Sequence, residues 1–107
     1  MALIDQVKRK LNITWSDEDT DARLNDIIAS VEPALKFKLG ITDAEFDFSV
    51  GGQENALFLA LCLYEFNHSA NEFDANYANE IAQCRARHEV AYHLAQESEG
   101  EDDESAS

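Results

Sequence analysis

Proline is nearly missing from this sequence: Pro33 is the only one in 107 residues. Glycine occurs four times, at Gly40, Gly51, Gly52 and Gly100. With so few breakers, the chain divides into a small number of long segments. Basic residues are also scarce, 8 against 22 acids, which gives a formal net charge of −14. That shortage argues against a free-standing nucleic-acid binder, because affinity for phosphate comes largely from Lys and Arg releasing counterions. It argues equally against docking on anionic lipid. Two cysteines, Cys62 and Cys84, do not make a disulfide framework. No long hydrophobic run exists either. The longest, Ala56 to Tyr64, is far short of the roughly 20 residues that cross a bilayer. The opening "MALIDQVKRKL" is amphipathic and lacks the apolar stretch of a signal peptide. The expectation is a soluble, intracellular protein with reduced thiols and no membrane partner.

What is present is enough apolar side chain for one core: 45% of the residues in a chain of single-domain length. Alternation of the kind that marks a sheet is absent, while three- and four-residue spacing recurs. A first helix is predicted over about 2–11, with Leu3, Ile4, Val7 and Leu11 on one face. A second, over 17–39, carries the stripe Leu24, Ile27, Ile28, Val31, Leu35 and Leu39. Pro33 predicts a kink or break in it near Val31, and Gly40 stands where a left-handed C-cap belongs. Residues 41–52 form a loop. A third helix over 53–68 is apolar on every face, so it must be surrounded by protein. A fourth runs over 70–96. The segment 97–107 has six acids and no large apolar residue, and is predicted to be a disordered acidic tail. The fold expected is all-α, a single small domain of about four helices over 1–96.

The run "TWSDEDTDARL" has aspartates at 17, 19 and 21, as a calcium loop does. Such a loop would need glycine at 22 and glutamate at 28, where Ala22 and Ile28 stand. A helix start explains the acids better. Ser16 is the predicted cap, with Asp19 three residues on closing an approximate capping box. Cys84 and His88 share a helix face, but no close Cys-x-x-Cys pair accompanies them. The expectation is a buried cysteine and an edge histidine, with no metal and no cofactor. His68, His88 and His93 have no nucleophile motif beside them and no phosphate loop appears, so no catalytic residue is assigned. Tyr64, Phe66, Phe73 and Tyr77 are predicted to pack the corner of an αα-hairpin, some of them open to a neighbouring subunit.

Taken together, "LIDQVKRKLNITW", "SDEDTDARLNDII", "LKFKLGI" and "ENALFLALCLYEFNHSANEFDANYANEI" form a pattern that covers about residues 2–96. It resembles the small head–tail connector, or adaptor, proteins of long-tailed bacteriophages and prophages. The resemblance implies a non-enzymatic virion protein of the head–tail junction, assembled in the bacterial cytoplasm. It implies a ring of about twelve subunits beneath the portal protein. That ring would extend the DNA channel, which DNA traverses without specific binding, and dock a tail or head-completion protein.

Two surfaces follow as expectations. The loop side chains Ile41, Phe46, Phe48 and Val50 form an apolar set larger than a monomer should expose, and so a subunit contact. Connector families commonly reach the portal with their C-terminal region, which implies Arg85, Arg87, Val90, Tyr92, His93 and Leu94 as portal-binding residues. The alternative is an acidic DNA mimic that inhibits a DNA-binding enzyme, which requires an ordered row of carboxylates on one face.

Overall fold

The computed structural model describes residues 2–15 and 17–106, with side chains described through residue 94. Among them there is no strand. The helices are α1 (Leu3–Lys10), α2 (Glu18–Leu39), α3 (Gln53–Phe66), α4 (Phe73–Asn76) and α5 (Ala78–Ala106), with a 3-10 turn at Ala70–Glu72 before α4. The domain is all-α, as the spacing predicts. The tail expected over 97–107 falls outside the residues whose side chains are described. No helix among the described residues is long and apolar enough to cross a membrane.

α3 is the hub. Leu57, Phe58, Ala60, Leu61 and Cys62 are all buried on it, because α1, α2 and α5 pack around it. Full burial contributes about 1.5–3 kcal/mol for each large apolar side chain. α2 supplies Leu24, Ile28, Val31, Leu35 and Leu39 to the same core, and α1 supplies Val7. The predicted break near Val31 does not occur, and α2 runs through Pro33 unbroken. Pro33 leaves the Ala29 carbonyl without its helical donor. Both residues are exposed, so water can reach that oxygen.

Three helices end in the same way. At each, the residue beyond the cap is left-handed, and two amides fold back onto the last-turn carbonyls. After α1 the left-handed residue is Asn12 (φ 60°), with Ile13 N–H donating to Lys8 O at 2.8 Å. After α2 it is Gly40 (φ 68°), with Ile41 N–H on Lys36 O at 2.9 Å. After α3 it is His68 (φ 58°), with Ser69 N–H on Tyr64 O at 2.8 Å. Ile13 and Ile41 are buried just past two of these ends, so each termination also steers the chain back into the core.

The predicted fourth helix is two helices. Tyr77 (φ −117°, ψ 21°) interrupts it, and its ring packs into an aromatic cluster. Tyr77 stacks on Phe73 with centroids 5.0 Å apart, and Tyr64 meets both edge-on at 5.8 Å. Phe66 lies under the Arg23 guanidinium, 4.2 Å from its ring centroid. This is the aromatic corner expected between the helices. Cys84 is buried and His88 half-buried, also as expected.

Candidate functional site

With no catalytic constellation in the sequence, the functional groups to look for are surfaces. The acidic start of α2 is a helix N-terminus, but the cap is Asp17. Its Oδ2 accepts from the Thr20 amide at 3.3 Å and from the Thr20 hydroxyl at 2.9 Å. Thr20 therefore occupies the position three residues beyond the cap, which a Ser16 cap would have given to Asp19. Asp19 is instead an exposed first-turn acid, and Ser16 lies outside the described residues. Asp21 is held by Lys8 of α1 at 2.7 Å.

The loop 41–52 corrects the predicted subunit contact. Ile41 and Phe48 are buried in the chain's own core, and Phe46 is half-buried. Phe48 stacks on Phe58 at 5.1 Å, and Phe46 packs edge-on against Phe48 at 5.0 Å and His88 at 5.7 Å. The reason is a set of polar ties that fold the loop inward. Asp43 accepts from the Glu45 amide at 2.9 Å, and Asp47 accepts from the Ser49 hydroxyl at 2.6 Å. Asn55 donates to Phe48 O at 2.7 Å, Gln6 to Ser49 O at 3.0 Å and Lys36 to Ala44 O at 2.7 Å. Of the four residues only Val50 stays open, at 65% exposure.

α5 behaves differently along its length. Among the residues of α5 whose side chains are described, Cys84 is the last buried one, His88 is half-buried, and 89–94 are all exposed. Val90, Tyr92 and Leu94 are 46–60% exposed. The six predicted residues do not form one surface, however. At about 100° per residue, Arg87, Val90 and Leu94 share one face, Arg85 and Tyr92 share the opposite face, and His93 lies between. Both arginines are tied to their own chain. Arg85 donates to Lys38 O at 3.3 Å and pairs with Glu89 at 3.0 Å. Arg87 donates to Gln53 Oε1 at 2.6 Å and pairs with Glu54 at 3.1 Å. His93 meets the Tyr92 ring edge-on at 5.9 Å.

Sequence reasoning passed over Phe37, which is 83% exposed near the end of α2. The signal was available, since Phe37 falls off the stripe that ends in Leu35 and Leu39. It walls a groove of about 480 Å³ with Lys38, Asp74, Ala78, Ile81, Ala82 and Arg85. Trp15, between α1 and α2, is exposed as well. A basic depression is formed by Arg9 and Lys10 with Gln6, Asn55 and Leu59.

Acids are drawn into local jobs across the body: Asp17 caps α2, and Asp21, Asp74, Glu54 and Glu89 are ion-paired. Nothing in that distribution favours a DNA mimic. Among the described residues, a small helical body carries a helical segment on which Val90, Tyr92 and Leu94 are exposed. The profile of the phage gp6-like head-tail connector proteins matches residues 1–102, and the chain belongs to that family. No curated protein and no solved structure matches it. The protein is thus a phage head–tail connector, a structural component of the junction between head and tail.

Proposed function

We propose that this connector forms a ring beneath the portal, with the outer part of α5 as its portal-docking arm. The observation that carries the reading is the apolar pair Val90 and Leu94, one helical turn apart on a helix that has already left its own core. Exposed apolar side chains aligned on one face are what a partner covers. The acidic body suits a DNA path, since a negative wall repels phosphate and lets DNA slide, where a basic wall would hold it. Val50 and Phe37, open on the body, are available to neighbouring copies or to the tail-side protein.

The test is to mix the protein with its cognate portal and image the product by electron microscopy. A ring on the portal is expected, and its absence at every salt concentration would overturn the reading. Val90→Asp combined with Leu94→Asp should abolish docking while leaving helicity unchanged. Decoration of the portal by that variant would show that the arm is not the docking element.

A further inference from the structure

Glu54, Cys84 and His88 converge although thirty residues separate the first from the second. Glu54 stands in the first turn of α3, and Cys84 and His88 lie one turn apart on α5. Their ligand-type atoms all fall within 4.8 Å of one another. The Cys84 thiol donates to Glu54 Oε1 at 3.5 Å, and His88 Nε2 lies 3.2 Å from the same oxygen. We infer that these three side chains are a binding site for a thiophilic divalent cation of the zinc type.

The geometry suits that class of ion. Tetrahedral zinc, with bonds of about 2.0–2.3 Å, holds its ligand atoms about 3.3–3.7 Å apart. Two edges of such a tetrahedron are already close to that length. Thiolate, imidazole and carboxylate together form a donor set that selects zinc over magnesium or calcium, which take oxygen ligands. Three protein ligands leave a fourth position for water. Glu54 also borders an open cavity of about 370 Å³ that is lined by Asp43, Glu45 and Asp47. Those carboxylates give a cation an attractive approach to the otherwise enclosed thiol.

The free protein fills the same charge requirement by other means. Arg87 brings Nη2 to 3.1 Å from Glu54 Oε1. Burial opposes the Glu54 charge, but its own backbone N–H, the Cys84 thiol, Arg87 and His88 outweigh it and hold the carboxyl below its usual range. Burial and the Glu54 charge push the Cys84 thiol up to about 11. Cation binding therefore releases one proton from the thiol, as the sulfur becomes a thiolate ligand. Arg87 is half-exposed and keeps Gln53 Oε1 at 2.6 Å as an acceptor, so it can yield Glu54 to the ion. The bound ion would fasten α5 to the start of α3 just before the arm leaves the body.

The experiment is titration of the chelator-treated, full-length protein with cobalt(II) alone, followed by near-ultraviolet absorption. A thiolate-to-cobalt charge-transfer band saturating at one equivalent is expected. It should vanish in Cys84→Ser and persist in Cys62→Ser, whose thiol is buried elsewhere on α3. His88→Gln, which keeps a side chain of similar size at this half-buried position, should weaken binding at least tenfold with helicity intact. Arg87→Gln, which removes the competing cation, should tighten it several-fold. No band at one equivalent, a band that survives Cys84→Ser, or binding only at millimolar cobalt (an adventitious ion only) would each overturn the assignment.

Discussion

Arg85 of α5 donates through Nη1 to the carbonyl of Lys38, 3.3 Å away in the last turn of α2. That oxygen is one of the four that a helix end leaves without an internal partner, and it lies at the negative pole of the helix dipole. A residue assigned from sequence to a portal surface is thus a cap supplied in trans by another helix. Arg85→Ala should cost about 0.5–1.5 kcal/mol, because the contact is exposed and screened. Arg85→Lys should recover only part of it. Urea denaturation of the three proteins measures this directly.

The loop 41–52 is a plug, and its two kinds of apolar residue should respond differently. Phe48→Ala removes a buried ring stacked on Phe58 and should cost about 3–5 kcal/mol. Val50→Ala, at an open position, should fall within about 0.5 kcal/mol of the parent. Equal effects of the two on thermal unfolding would mean that the loop does not fill the core.

The three left-handed residues beyond α1, α2 and α3 set up an internal comparison. Gly40→Ala places a Cβ at φ 68°, in ordinary contact with Arg85 Cγ at 3.4 Å, and should cost about 1–2 kcal/mol from backbone strain. Asn12→Gly relieves the corresponding strain at φ 60° and should gain about 0.5–1 kcal/mol. Denaturation midpoints moving in opposite directions are the expected result.

Asp47 offers a check by titration. The Ser49 hydroxyl and then the Ser49 amide hold its carboxyl below the ordinary value of 3.8. A depressed value in the folded state means that the turn's contribution is present above the ordinary value and is lost as pH falls through the lowered one. Carboxyl NMR should show Asp47 titrating below 3.8 in the parent and closer to it in Ser49→Ala.

Much of this architecture is legible in the residues. The stripe from Leu24 to Leu39 and the all-round apolarity of "ALFLALCLY" determine a central helix with others around it, because burial demands those patterns. Gly40 announces its helix end, since glycine alone enters the left-handed region without strain. Asn12, the residue type next most tolerant of that region, announces its end more weakly, and His68 holds the same conformation without announcing it. Ile41 and Phe48 are legibly apolar, but sequence does not say what covers them. The inward fold depends on ties from Gln6, Lys36 and Asn55, which come from three other places in the chain. Glu54 is invisible for the same reason. No spacing rule links it to Cys84 and His88, and only the packing of α3 against α5 does so.

α5 carries neither glycine nor proline between Ala78 and Leu94, and its first half is anchored through Cys84, Arg85 and Arg87. Sharp helix bends need such residues or a break in the hydrogen-bond ladder. The arm therefore has no hinge of its own where it leaves the body. On the docking arm proposed above, a partner gripping Val90 and Leu94 would also fix the tilt of the whole domain, so the mounting angle would be decided inside the subunit's own core.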